Sequence, residues 1–249
     1  MPNSVLITGA SGGIGRALAL EFAAPGRVLL LNGRNADKLG ALAQECRRRG
    51  AVVTELIQDL RQTEQWIARL EAVSRESPID LAIVNAGVLS VPGADGETWN
   101  NIEEVLAVNV KAAFATVSGV LPAMRARGRG QIALMSSLAA WYGLPAAPSY
   151  CASKAALKSY GEALRVWLAP QGIGVSVVLA GDVKTGMSEQ WTAAKRFIIS
   201  PERAARLIRR GLARDCRRIS FPFPLSWGAW LLSALPTSLS ERIVRAGRF

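Results

Sequence analysis

The sequence predicts an α/β protein, a doubly wound Rossmann-type fold with about seven parallel strands and helices on both faces of the sheet. Three observations predict it. Apolar runs of strand length alternate with amphipathic runs of helix length. The strand-length runs are nearly continuous Val, Leu and Ile, as strands buried on both faces should be. The first of them ends in a glycine-rich turn that opens a helix. At 249 residues the chain suits one such domain over 1–249, with an apolar and basic tail, 221–249, belonging to it.

The first strand is expected at Val5–Thr8, and the glycine turn leads into a helix at Gly13–Ala24. A strand that starts this early leaves no room for a signal peptide before it. Strands at Val28–Asn32 and Val52–Leu56 alternate with helices at Ala36–Arg49 and Thr63–Ser74. The strand Leu81–Asn85 is followed by a long helical stretch, Asn101–Arg127. A fifth strand at Gln131–Ser136 precedes the helix Ala147–Pro170, and the sixth is expected at Val175–Ala180. Pro201 suits the first turn of a helix running to Arg214. A seventh strand is expected at Arg218–Phe221. The character then changes: Phe221–Pro236 reads F-P-F-P-L-S-W-G-A-W-L-L-S-A-L-P. That run is too short and broken to cross a bilayer, which takes about 20 apolar residues.

Composition removes whole classes of chemistry. The chain has no histidine, so Ser-His, Cys-His and His-metal mechanisms fall away together. Cys46, Cys151 and Cys216 stand singly, without the spacing of a disulfide framework or a zinc site, so no metal is expected and a reducing cytoplasm is the natural setting. The net charge of +11 permits attraction to anions, yet no nucleic-acid-binding module is present. Solvated helix faces account equally for arginine clusters such as Arg47-Arg48-Arg49.

The turn after the first strand carries Gly9, Ser11, Gly12, Gly13, Ile14 and Gly15. Glycines there let backbone approach a pyrophosphate at a helix N-terminus. At the end of the second strand a carboxylate would hold the ribose 2′-hydroxyl of NAD, whereas an arginine would hold the 2′-phosphate of NADP. The chain reads Asn32-Gly33-Arg34 with no acid, which favours NADP(H) and leaves NAD(H) possible. Asp59 and Leu60 follow the third strand as a plausible adenine contact through the Asp side chain. Asn85, Ala86 and Gly87 follow the fourth, small enough for a ribose to lie against the backbone. Such dipeptides and tripeptides are also ordinary turn formers.

Tyr150 and Lys154 stand four apart in a helical segment and so share a face. A free phenol has a pKa of about 10. A nearby ammonium together with the positive nicotinamide ring is expected to lower it, giving an acid/base for a reacting oxygen while hydride moves to or from that ring. Ser137 ends the fifth strand, placed to hydrogen-bond the same oxygen, while its neighbour Ser136 points to the opposite face. Asn109 sits inside the Asn101–Arg127 stretch, where an amide needs a reason; a helix kink and a bound water feeding Lys154 would supply one.

Five ordered stretches resemble the short-chain dehydrogenase/reductase family in its compact single-domain branch, from about Val5 to Pro201. They are T-G-A-S-G-G-I-G at Thr8–Gly15, N-A-G at Asn85–Gly87, Asn109, S-S-L-A-A at Ser136–Ala140 and Y-C-A-S-K at Tyr150–Lys154. The resemblance implies an NAD(P)-dependent oxidoreductase acting on a carbonyl or alcohol. It implies Ser137 and Tyr150 on the substrate oxygen, Lys154 on the nicotinamide ribose and on Tyr150, and Asn109 in a proton relay. One departure stands out: the family's Pro-Gly after the sixth strand reads Ala180-Gly181. Gly181, Val183 and Thr185 remain suited to the nicotinamide and pyrophosphate. An epimerase or dehydratase on this scaffold, or a cofactor sensor without turnover, is the alternative.

Substrate choice falls to the loops Leu138–Pro148 and Gly186–Ser200. Leu138, Trp141, Tyr142, Leu144, Trp191 and Phe197 there favour a small to medium apolar carbonyl or alcohol. The family resemblance implies a homo-oligomer, dimer or tetramer, through Asn101–Arg127 and Ala147–Pro170. The tail, flanked by Arg217-Arg218 and by Arg242, Arg245 and Arg248, has two readings. It covers the pocket or a subunit interface, or it rests on an anionic membrane as a peripheral contact.

Overall fold

The chain, described by a computed structural model over residues 2–93, 96–189 and 197–247, alternates strands and helices from its start. The order is β1 (Ser4–Ile7), α1 (Gly13–Phe22), β2 (Val28–Gly33), α2 (Ala36–Arg48), β3 (Val52–Ile57), α3 (Thr63–Glu76), β4 (Leu81–Val84), α4 (Trp99–Leu106) and, after a π-helical turn at Ala107–Lys111, α5 (Ala112–Arg127). Then come β5 (Gly130–Ser137), α6 (Pro148–Leu168), β6 (Ile173–Ala180), a short α7 (Gly186–Glu189), α8 (Pro201–Ala213), β7 (Arg218–Phe221), α9 (Leu225–Ala234) and α10 (Thr237–Gly247). The strands form one parallel sheet in the order β3-β2-β1-β4-β5-β6-β7.

The two-residue period of a strand sends successive side chains to opposite faces, and both faces are apolar here. Val5 and Ile7 of β1, with Leu29 and Leu31 of β2, pack against Leu18, Leu39 and Ile208 from α1, α2 and α8. Leu6, Leu30 and Leu134 turn the other way, onto Trp66, Val117 and Leu157 from α3, α5 and α6. The buried Trp66 indole donates to Thr116 Oγ1 at 2.9 Å, so its one polar atom is satisfied between α3 and α5. The span Trp99–Arg127 is long and apolar enough to cross a membrane by length and composition alone, at a mean hydropathy of 1.5. It is instead a core element, stacked on α3.

The ends of several elements differ from the expectation for stated reasons. β1 and β4 stop one residue earlier than expected, where side chains take over from the ladder: the Thr8 amide still donates to the Ile83 carbonyl at 3.1 Å, and Thr8 Oγ1 accepts the amides of Asn85 and Ala86 at 2.9 and 3.0 Å. The expected Asn101–Arg127 helix begins at Trp99, capped by Thr98, whose hydroxyl accepts the Asn101 amide at 3.3 Å. It is also interrupted by the π-helical turn that contains Asn109. The tail, for which the sequence offers no element beyond Phe221, forms α9 and α10.

Candidate active site

Strand order reverses between β1 and β4, and ligands of open parallel sheets bind beyond the carboxyl ends of strands at such a point. A cavity of about 880 Å³ opens there. Of the residues singled out from the sequence, Gly9, Ser11, Gly12, Gly13, Ile14, Gly15, Arg34, Asp59, Leu60, Asn85, Ala86, Gly87, Ser137, Tyr150, Lys154, Gly181, Val183 and Thr185 all line it. Asn109 stands just behind the wall, fully buried.

One end of the cavity is built around the β1–α1 turn. Gly9 adopts φ +62°, and a Cβ there would stand 2.8 Å from Ala86 Cα, so only glycine lets the turn pass this close to β4. Asn32, buried at the end of β2, holds three elements together: its Nδ2 donates to the carbonyls of Leu56 and Gln58 at 2.9 and 3.2 Å, and its Oδ1 accepts the Gly9 amide at 3.4 Å. Asn85 Nδ2 donates to the Thr8 and Gly9 carbonyls at 3.0 and 3.2 Å, so this side chain braces the turn.

The turn suits a dinucleotide. The amides of Gly13, Ile14 and Gly15 at the start of α1 make no hydrogen bond among the described residues, and Gly12 offers no side-chain cap. Free amides at a helix N-terminus favour a pyrophosphate. Arg34 stands on the same wall and forms no ion pair among the described residues. Asp59 lies beside it with a different engagement from the one expected. Its two oxygens are gripped by Arg61, at 2.6 Å to Nη2, and that bond holds its carboxyl below the usual range.

Toward the other end, the last residues of β5 meet the first turns of α6. Ser137 shares the cavity wall with the Tyr150 phenol, whose ionisation it favours, and its hydroxyl accepts the Ala139 amide at 3.1 Å. Lys154 Nζ donates to the Met135 carbonyl at 3.0 Å and lies 5.5 Å from the centre of the Tyr150 ring. Ser136 points away, as alternation requires, and donates to the Lys154 carbonyl at 2.7 Å, fixing α6 against the sheet. The π-helical turn presents Asn109 to the chain after β4: Oδ1 accepts the Val88 amide at 2.8 Å, while Nδ2 donates to the Val88 carbonyl at 2.9 Å and to Ser153 Oγ at 3.0 Å. A Cβ at Gly87 would stand 3.2 Å from Asn109 Oδ1 and 3.3 Å from Lys154 Nζ, so these three positions converge.

Burial sets the charge states. The Tyr150 phenol is pushed up to about 12, chiefly by desolvation; Ser137 opposes the shift, while Cys151 and Asp182 add to it. The lowering expected from Lys154 and the nicotinamide ring together concerns the chain with its cofactor; in the chain alone desolvation raises the phenol. Lys154 is driven down to about 8 by its own desolvation, so it stays mostly charged at neutrality and loses its proton just above it.

The substrate end is apolar. Leu138, Tyr142, Leu144 and Phe197 face the cavity as expected, whereas Trp141 turns away, under Lys158 at 4.4 Å and Arg218 at 5.2 Å. Trp191 lies outside the described residues, as does Arg248 of the tail. Leu225, Ala229 and Leu232 of α9 and Ile243 of α10 complete the wall, so the tail covers the pocket as one of its two readings has it.

The family model described as short chain dehydrogenase matches residues 3–196. The chain belongs to the short-chain dehydrogenase/reductase family. This short-chain dehydrogenase is 33% identical over 243 residues to an uncharacterized oxidoreductase of Myxococcus xanthus, covering 97% of the chain and 96% of that protein. It is 30% identical over 252 residues to 11-beta-hydroxysteroid dehydrogenase-like 4A of Arabidopsis thaliana, covering 96% and 82%. Among solved structures it resembles a short-chain dehydrogenase from Sphingobium yanoikuyae in complex with NADPH, at a TM-score of 0.82 and 28% identity over 94% of this chain and 97% of that one. It is thus an oxidoreductase of a family that works between alcohols and carbonyls with a nicotinamide cofactor. Thr8, Asn32, Ser136 and Ser153, missed as site residues from the sequence, form the frame that holds its site.

Proposed function

We propose that this protein is an NADPH-preferring reductase of small to medium apolar ketones or aldehydes, with Ser137, Tyr150, Lys154 and Asn109 as its working set. The observation that carries the reading is that Ser137, Tyr150 and Lys154 share one cavity with the unbonded amides of the Gly9–Gly15 turn and with Arg34. Pyrophosphate on Gly12–Gly15, 2′-phosphate on Arg34, ribose against Asn85–Gly87 and nicotinamide near Gly181, Val183 and Thr185 would hold the cofactor. Leu60 and Asp59 would flank the adenine. When bound, such a cofactor supplies the hydride.

The chain's own residues do the rest. A phenol with a pKa of about 12 is fully protonated near neutrality, which suits Tyr150 to give a proton to the carbonyl oxygen as it gains negative charge. Ser137, on the same cavity wall as that phenol, is placed to donate to the same oxygen. Lys154, titrating at about 8, can return a proton toward Tyr150, with Asn109 Oδ1 beside it at the Gly87 gap. The apolar wall of Leu138, Leu144, Phe197 and Leu232 excludes water from the reacting atoms and suits a hydrocarbon substrate body. The hydroxysteroid dehydrogenase name of one relative agrees with such a body.

In this reading the enzyme is a single catalytic domain of the cytoplasm. It assembles through the α4–α5 span and α6, where Val166 and Trp167 stand 78% and 58% exposed. Titration with NADPH and NADH, followed by cofactor oxidation across a panel of apolar ketones and aldehydes, tests the function. NADPH binding with turnover that vanishes in Tyr150→Phe is the expected result. Binding of neither nucleotide would overturn the cofactor site, and binding without turnover on the panel would return the chain to a sensor.

A further inference from the structure

Helix α9 has two faces with different surroundings. At 100° per residue, Leu225, Ala229 and Leu232 fall on one side, which lines the active-site cavity. Trp227, Trp230 and Leu231 fall on the other and stand 67, 46 and 50% exposed, joined by Phe223 at 76% and Leu239 at 44%. No residue of α9 is buried. The two indoles meet edge to face at 6.0 Å and cover each other only in part. A contiguous apolar face of this kind on a folded protein marks a surface that meets something apolar.

Charge says what. From Phe221 to Ser240 no side chain is ionisable, and the run is bracketed by Arg217 and Arg218 on one side and by Arg242 and Arg245 on the other, with Glu241 the single acid among them. On the β7 side Arg218 is held by Glu162 at 2.7 Å, whereas on the α10 side Arg242 makes no ion pair among the described residues and Arg245 reaches Glu241 only at 4.0 Å while remaining 83% exposed in its side chain. Indoles and aliphatic side chains flanked by unpaired cations match the boundary between lipid headgroups and acyl chains. An isologous contact with a second copy would instead bring two sets of these arginines together across the symmetry axis, with only Glu241 to offset them. Spanning is excluded by length: α9 has 10 residues and reaches about 15 Å, against a hydrocarbon core of about 30 Å.

We propose that the exposed face of α9 and the adjoining start of α10 dock on the surface of an anionic lipid bilayer. Phe223, Trp227, Trp230 and Leu231 enter the headgroup boundary, and Arg242 and Arg245 meet lipid phosphates. One helix then separates the lipid from the reacting groups, its inner side being cavity wall. A substrate dissolved in the bilayer would thus reach the site past α9, a consequence that rests on the apolar-substrate reading; the docking itself does not.

Flotation of the full chain with vesicles of phosphatidylcholine mixed with phosphatidylglycerol tests the docking without cofactor or turnover. The protein should float with these vesicles at low salt, float less at high salt, and float weakly with phosphatidylcholine alone. Trp227→Ser with Trp230→Ser should lower binding at least about tenfold, and Arg242→Gln should lower it roughly fivefold, with NADPH binding kept as proof of folding. Brominated acyl chains should quench wild-type tryptophan fluorescence, a readout that needs no variant. Absence of a lipid-bound fraction, equal flotation by the double variant, or a dimer that the double variant dissolves without any lipid binding would overturn the proposal.

Discussion

Lys154 is a charge held where folding disfavours it, and its replacement by methionine should make the free protein more stable. The side chain is 5% exposed and desolvation lowers its pKa from 10.5 to about 8. At about 1.4 kcal/mol per pKa unit, that displacement means a penalty of about 3 kcal/mol for the protonated form. The bond to the Met135 carbonyl offsets about 1 kcal/mol of what removal would release. Methionine is unbranched, of similar length and an equally good helix former, so Lys154→Met should stabilise by about 2 kcal/mol. For a chain of this size that is roughly 4–8 °C in Tm. The sign with pH follows from the protons: the folded chain gives up this one near pH 8, whereas the unfolded chain keeps it to about 10.5. The penalty is therefore full below pH 8 and shrinks as pH rises, so the gain should fade to near zero by about pH 9.5. Urea unfolding of both proteins without cofactor, at the two ends of that range, measures it. A variant less stable than wild type near neutrality, or a gain unchanged with pH, would refute the account of Lys154 as a desolvated cation.

Other substitutions separate the parts of the site. Tyr150→Phe should lower kcat at least about a hundredfold while leaving the NADPH Kd within about twofold, because the hydroxyl moves a proton and does not hold the nucleotide. Arg34→Ser should weaken NADPH about 10- to 100-fold and NADH hardly at all, read by fluorescence titration, since a charge-assisted bond to a phosphate contributes about 1.5–3 kcal/mol. Asn32→Ala strips partners from the Leu56 and Gln58 carbonyls and from the Gly9 amide. It should cost about 3 kcal/mol, seen as a lower urea midpoint with an unchanged m value.

The sheet was legible because a two-sided parallel sheet writes itself as uninterrupted apolar runs, and Val5–Ile7 and Leu29–Leu31 are packed on both faces as those runs imply. The chemical residues were legible for a related reason. Tyr150 and Lys154 need a helical spacing, and Ser137 needs the last position of a strand, so sequence distance alone places them. The supporting residues carry no such signature. Asn32 looks like any polar residue ending a strand, and its threefold bonding exists only when β1, β2 and β3 lie side by side. Ser136 and Ser153 likewise gain their roles from helices packed across the sheet. The raised phenol of Tyr150 in the cofactor-free chain was out of reach for the same reason: spacing supplies the neighbouring Lys154, but only packing supplies the desolvation.

The tail resisted reading because its pattern serves two environments at once. A helix with one core face and one wet face shows polar residues at regular intervals, which is the signal that marks a helix in sequence. In α9 the core-side positions Leu225, Ala229 and Leu232 and the outer positions Trp227, Trp230 and Leu231 are all apolar, so the periodicity cancels. The cancellation is itself informative. A helix that packs one side on a cavity and leaves the other to bulk water has no use for two tryptophans and a leucine on the outside, since each exposed indole adds apolar surface that water solvates poorly. The loss of helical pattern in α9 and the bare face seen in the fold are thus one fact, and both point to a second apolar surface against the outer side of the substrate wall.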